Sequence, residues 1–205
     1  ETCVTVTWMK FCHQLLCLTG DSVYADQIEI SVYNALLGAL NVRNNTARRP
    51  NRVCRQSYAF DSYSPLLNGR RGRGVGGYMD LIDNVFWWGC CVAIGAAGTG
   101  LIPMAACMSA RDGVALNLYL PGEVRAETES GTVRLRTETA YPADGRVRVT
   151  VDAEGEFTLY LRIPAWSRTA ALSVNGEALE AGAGYARVRR VWRRGDVVEL
   201  TLDLR

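Results

Sequence analysis

The chain has 205 residues, 48% of them apolar and 21% charged, with a formal net charge of +2. This is the composition of an ordinary globular protein long enough to bury a sizeable core. Arginines are spread along the whole length and Lys10 is the only lysine, so no basic stripe interleaved with aromatics points to nucleic acid.

No apolar run is long enough to span a membrane, and neither an initiator methionine nor a signal peptide is visible. The first residues already read as helix, so the sequence is expected to be a piece of a longer protein. Seven cysteines, an odd number scattered through helical and loop segments, do not form a secreted disulfide framework. Free thiols in a reducing compartment, and hence a cytoplasmic location, are the expectation.

Residues 4–19 predict a helix, because Trp8, Met9, Phe11, Cys12, Leu15 and Leu16 recur at three- and four-residue intervals. Gly20 can end it, and Asp21 or Ser22 can cap the next. Ala25, Ile28, Val32, Tyr33, Leu36, Leu37 and Leu40 continue the helical period, giving an antiparallel helical hairpin. His13, the only histidine, is read as structural or exposed rather than as a ligand. Cys12, Cys17 and Cys107 sit among apolar residues and are expected to be small core residues. Cys54 lies in polar surroundings and carries no assigned role.

Asn41–Arg55 reads as a polar loop, and Ser57–Leu67 as a short extended segment with alternating aromatics. Asn68–Gly77 holds five glycines and three arginines and reads as a loop. Its glycines do not make a phosphate loop, because no Gly-Lys-Ser/Thr follows. The arginines at 70, 71 and 73 are read as solvated. Residues 92–108, rich in Ala and Gly, predict a closely packed helix limited on one side by Pro103.

The character changes near residue 113. Strands are expected at 114–120, 133–139, 147–151, 157–163, 170–174, 186–188 and 197–202. Turn signals at Pro121-Gly122, Asp144-Gly145, Glu154-Gly155, Asn175-Gly176 and Gly195-Asp196 separate them. Regular short strands with such turns predict an antiparallel β-sandwich, and Asn175-Gly176 is the clearest two-residue hairpin turn. The expected organisation is therefore α+β, with a helical domain over 1–112 and a β-sandwich domain over 113–205.

The chemistry concentrates in two stretches. Trp87-Trp88-Gly89-Cys90-Cys91 places two adjacent thiols after paired tryptophans. Adjacent cysteines rarely bond to each other, whereas a thiolate pair suits a soft metal such as zinc and a thiolate is also a nucleophile. Glu1-Thr2-Cys3 supplies a carboxylate and a third thiol. Without further context a structural zinc is the simpler reading.

The order of motifs settles the context. Glu1-Thr2-Cys3, Leu18-Thr19-Gly20-Asp21, Tyr24-Ala25-Asp26, Tyr33-Asn34, Tyr63-Ser64-Pro65-Leu66, Gly89-Cys90-Cys91, Leu116-Asn117-Leu118-Tyr119, Leu161 to Trp166, Val174-Asn175-Gly176 and Trp192 to Asp196 follow one another. This series resembles glycoside hydrolase family 127, the β-L-arabinofuranosidases, over nearly the whole chain. The resemblance implies the last helices of an (α/α)6 toroid followed by the β-sandwich. It implies retaining hydrolysis of terminal β-L-arabinofuranosides or similar sugars, with Glu1 as acid/base and Cys90 as a zinc-bound nucleophile. Cys3, Cys90 and Cys91 would hold the Zn2+, with a fourth ligand, a glutamate, upstream of Glu1 and outside this chain.

Trp87, Trp88 and Tyr63 are candidate sugar contacts. Where the family commonly continues the cysteine pair with Pro-Pro-Asn, this chain has Val92-Ala93-Ile94, which bears on the sugar more than on the mechanism. The implied partners are a carbohydrate substrate and the upstream part of the same protein, with neither nucleic acid nor membrane. The competing reading is a non-catalytic remnant that binds carbohydrate or a partner protein. By itself the 205-residue chain is expected to be poorly soluble and inactive, because separation from neighbouring helices would expose the apolar stripes of residues 8–16 and 25–40.

Overall fold

The computed structural model describes residues 2–39 and 90–204, with backbone alone for 90–92. The predicted loop Asn41–Arg55, extended segment Ser57–Leu67 and loop Asn68–Gly77 lie outside the described residues. The chain divides into two compact units, Glu1–Gln14 with Gln27–Ile102 and Leu15–Asp26 with Pro103–Arg205.

Helix α1 spans Thr2–Thr19 and α2 spans Ser22–Ile30. Between them Gly20 takes φ 67° and its N–H donates to the Leu16 carbonyl at 2.8 Å, a left-handed stop that costs glycine least. Asp21 caps α2 by accepting the Val23 N–H at 3.0 Å. Beyond Ile30 the predicted helix widens into a π-turn, Ser31–Leu36, and then tightens into a 3-10 turn, Leu37–Ala39. The wider turn keeps Val32 and Leu36 buried while shifting the helical register.

Helix α1 is apolar on two faces. Val6, Met9, Cys12 and Leu16 are buried, whereas Val4, Trp8, Phe11 and Leu18 are exposed. The single stripe expected over residues 8–16 is thus split. Cys17 is exposed, contrary to its expected core position. It follows buried Leu16 by one residue, and the helical rotation turns it off the buried face.

Helix α3 runs over Cys90–Ala106 and carries Pro103 inside it, so the proline does not bound the helix. Buried Leu101, Ala105 and Ala106 flank it, and packing there overrides a penalty of about 3 kcal/mol. The small-residue expectation holds at Gly98, where a Cβ would lie 2.5 Å from Val6 Cγ2 and 3.3 Å from Leu36 Cδ1. Gly98→Val is therefore expected to destabilise by about 1–3 kcal/mol through overpacking. Gly100→Ala, with nothing within 4 Å, should be neutral or stabilise by up to about 1 kcal/mol. Urea unfolding midpoints check both.

The second unit carries two sheets. Strands β1 (Cys107–Ala110), β2 (Gly113–Leu116), β6 (Gly155–Ile163) and β9 (Gly184–Trp192) form one, in the order β1-β2-β6-β9. Strands β3 (Gly122–Thr128), β4 (Gly131–Thr139), β5 (Arg146–Val151), β10 (Val197–Leu202), β7 (Ala170–Val174) and β8 (Glu177–Leu179) form the other, in that order.

Residues 107 and 108 leave the predicted helix for β1, so residues 1–112 are not helical to their end. The Ala106 carbonyl accepts N–H groups of Asn117 and Leu118 at 2.8 and 3.3 Å, and Cys107–Ala110 pairs with β2 instead of adding a helical turn. The strand expected over 114–120 stops at Leu116 for the same reason: the next two N–H groups turn to that carbonyl.

The sheets are not wholly antiparallel, because β2 pairs parallel with β6. Gly113 permits the close approach, since a Cβ there would meet the Thr158 carbonyl oxygen at 1.8 Å. Alternation builds the core. Val133, Leu135 and Thr137 of β4, Val147, Val149 and Val151 of β5, and Val198, Leu200 and Leu202 of β10 are buried, and the intervening Arg134, Arg136 and Glu138 of β4 are exposed.

Asn175 and Gly176 form the expected two-residue turn, with φ of 51° and 84°. The Asn175 amide donates to Asp196 at 2.9 Å, and the other Asp196 oxygen accepts the Arg193 N–H at 2.9 Å. The Arg193 N–H, and then Asn175, hold the Asp196 carboxyl below its ordinary range. A depressed carboxyl stabilises the fold above its unfolded pKa of about 3.9, and that contribution is lost as pH falls through the lower folded value. Asp196→Ala is expected to cost about 1–3 kcal/mol at neutral pH and to remove part of the acid sensitivity below about pH 4. Thermal melts across pH check this.

Candidate active site

Cys3 lies in the first turn of α1, half-buried and in no disulfide. Cys90 and Cys91 open α3. Glu1, Tyr63, Trp87 and Trp88 lie outside the described residues. Helices α1 and α3 pack directly at Val6 and Gly98. At 1.5 Å per residue, Cys3 stands about 4.5 Å along its axis from Val6, and Cys90 about 12 Å from Gly98. Cys3 and the Cys90-Cys91 pair thus lie in the opening turns of α1 and α3. A set of three thiols matches zinc by softness, and a helix start favours an anionic group. Among the described residues, which leave out the side chains of Cys90 and Cys91, no cluster of three or more His, Cys, Asp or Glu that could hold a metal is found.

The remaining described cysteines differ. Burial raises the Cys12 thiol above its ordinary value and pushes Cys107 up to about 11. Both stay protonated at neutral pH, which suits packing rather than nucleophilic chemistry.

Motif residues without an assigned chemical role come together in the second unit. Arg162, in β6, is 0% exposed. Its Nη1 donates to Asp26 Oδ1 of α2 at 2.5 Å, and its Nε to the Asn117 carbonyl at 2.5 Å. The other Asp26 oxygen accepts the Ala165 N–H at 3.3 Å. The Asn117 amide donates to the Ala105 carbonyl at 2.9 Å, and the Tyr185 hydroxyl donates to Asn117 Oδ1. The Tyr119 hydroxyl donates to the Arg162 carbonyl at 2.6 Å. Asp26, Asn117, Tyr119 and Arg162, one or more from each of three sequence motifs, are thus joined in one buried polar network. A buried charge demands such pairing. The sequence signal was Arg162 itself, a charge inside the apolar run Leu159 to Ile163.

Two family models match this chain. One is the catalytic domain of the glycoside hydrolase family 127 β-L-arabinofuranosidases, over residues 1–93. The other is the middle domain of the same family, over residues 113–204. The chain belongs to glycoside hydrolase family 127.

Relatives agree with that placement. The non-reducing end β-L-arabinofuranosidase of Bifidobacterium longum subsp. longum is 27% identical over all of this chain, which matches 30% of that enzyme. A solved family 127 β-arabinofuranosidase matches 99% of the chain with a TM-score of 0.78 and 27% identity, over 32% of its own length. The β-L-arabinofuranosidase of Geobacillus stearothermophilus T6 matches 99% with a TM-score of 0.72 and 27% identity, over 31% of its length. The family 127 chain thus spans about a third of the length of these relatives. Its catalytic-domain match includes both Glu1-Thr2-Cys3 and Cys90-Cys91. No described helix is long and apolar enough to cross a membrane.

Proposed function

We propose that the protein carrying this chain is a retaining glycosidase that removes terminal β-L-arabinofuranose or a similar sugar, with Cys90 as nucleophile and Glu1 as acid/base. The observation that carries the reading is the catalytic-domain match over residues 1–93, which takes in both chemical motifs. In this reading the helices of residues 1–112 belong to a toroid and residues 113–205 form the β-sandwich that follows it in the chain.

The Cys90 sulfur attacks the anomeric carbon while Glu1 donates its proton to the departing glycosidic oxygen. The C–O bond breaks as the C–S bond forms. Glu1, now ionised, takes a proton from water, and that water displaces the thiolate with a second inversion. Cys3, Cys90 and Cys91 are the residues that would hold zinc. When bound, zinc supplies the means of keeping a thiol of ordinary pKa about 8.5 deprotonated at neutral pH.

The test is hydrolysis of an aryl β-L-arabinofuranoside by the protein that carries this chain, with the anomer of the first product read by NMR. The β-anomer is expected. An inverted product, or no turnover of any pentofuranoside, would overturn the reading. Glu1→Gln should lower kcat/KM, which reports the first step, far more for substrates with poor leaving groups than for nitrophenyl substrates, because only the former need the proton.

A further inference from the structure

We propose that a cleft on the four-stranded sheet is a second saccharide site, suited to a neutral sugar rather than an anion. The cleft has a volume of about 420 Å³ and is lined by Tyr160, Tyr185, Arg187, Arg111, Asn117 and Cys17 among others. That volume falls in the range of small-ligand pockets, about 300–1,000 Å³. All these residues belong to the second unit.

Strand pairing assembles the wall. Tyr160 of β6 stands opposite Arg187 of β9, and Arg162 opposite Tyr185. The Tyr160 and Tyr185 rings meet edge to face with centroids 6.3 Å apart, and the Arg187 guanidinium lies 5.6 Å from the Tyr160 ring centre. Aromatic rings offer apolar surface to the C–H face of a sugar, and that contact alone does not choose between neutral and charged sugars.

The hydrogen-bond inventory makes the choice. The Tyr160 hydroxyl gives its proton to Asp112 at 2.8 Å, and the Tyr185 hydroxyl gives its proton to Asn117. Burial raises the Tyr160 phenol above its ordinary value, and the Asp112 carboxylate adds to this. Burial pushes Tyr185 up to about 12. Both protons are therefore retained and committed, and each phenol oxygen offers a ligand only lone pairs. Arg111 and Arg187 are exposed, and neither has a carboxylate partner among the described residues. Their N–H groups are donors only.

The cleft thus presents donors beside acceptors. A sugar hydroxyl, which both donates and accepts, satisfies the two kinds together. A carboxylate or phosphate only accepts. It would meet the guanidiniums, but also the phenol lone pairs and the ionised Asp112 behind Tyr160.

The ligand class is that of the proposed reaction, but the residues are different, so the two readings fail separately. The experiment is calorimetric titration of the Cys90→Ser form of the protein that carries this chain, so that no probe is consumed. Methyl β-L-arabinofuranoside and an arabino-oligosaccharide are the probes, with galacturonate and inorganic phosphate as anionic competitors.

Two classes of site are expected. Cys17→Trp, which fills the cleft from an exposed position, should abolish one, and Arg187→Ala should weaken the same one about tenfold, the loss of roughly one charge-assisted hydrogen bond. Neither anion should displace the sugar. A single site unaffected by both variants, no binding at all, or displacement by phosphate or galacturonate would overturn the proposal. Presence of the Arg187-dependent site, together with no turnover of any pentofuranoside by the protein with Cys90 intact, would overturn the catalytic reading alone.

Discussion

Asp26→Ala is expected to destabilise the fold by about 3–5 kcal/mol, because it strands a wholly buried guanidinium. The Arg162 side chain is 0% exposed and that of Asp26 10%. Removing the carboxylate takes the Asp26 counter-charge from a buried guanidinium, and the cost is mostly that of the lost pairing. For a chain of this size the loss corresponds to roughly 6–20 °C in melting temperature. The double variant Asp26→Leu with Arg162→Met should cost much less than the sum of the single changes, because it removes both charges together. The exposed pair Arg125–Glu127, with side chains 63% and 65% accessible, supplies the control, and its removal should change stability by under about 1 kcal/mol. An Asp26→Ala effect as small as that control would show that Arg162 finds other partners.

The second large effect is on turnover. Cys90→Ser is expected to reduce kcat on the order of 10⁴-fold or more, the scale seen when a nucleophile is removed. Serine keeps the size and loses the nucleophile, since a hydroxyl at neutral pH is far less nucleophilic than a thiolate. Cys12→Ser and Cys107→Ser should leave kcat unchanged in protein that remains folded, since burial holds both thiols protonated. Single-turnover rates on a nitrophenyl arabinofuranoside separate the variants. Equal losses at Cys90 and Cys12 would mean that folding, not chemistry, is being measured.

The strands that alternate were legible because burial on one face writes itself into the sequence. Val133, Leu135 and Thr137 interleave with Arg134, Arg136 and Glu138, and the two-residue turn at Asn175-Gly176 follows from positive φ at both positions. Strand β3 was missed because it is an edge strand with only Ala126 buried, and its charged residues hide the period. Strand β8 is three exposed residues and leaves no apolar trace. Strand β1 was hidden by the apolar run of α3, and tertiary pairing with β2 decided it.

The candidate site residues Glu1, Cys3, Cys90 and Cys91 stand out in the sequence for a different reason. Adjacent cysteines and a Glu-Thr-Cys start are poor packing choices and stand out as chemistry. The Asp26–Arg162 network was not legible, because its partners stand 136 positions apart and nothing local in the sequence links them. Arg162 alone gave a sign, as a charge where the strand is buried on both faces.

The most direct measurement of the nucleophile is mass spectrometry of the Glu1→Gln form of the protein that carries this chain, quenched after mixing with a nitrophenyl β-L-arabinofuranoside. Such a leaving group departs without an acid, while the second step lacks its base, so the glycosyl-enzyme should accumulate. A mass increase of one pentosyl residue, mapped to the peptide containing Cys90 and absent from the Glu1→Gln, Cys90→Ser double variant, is the predicted result. A pentosyl adduct on a carboxylate side chain, or one that persists in the double variant, would contradict it.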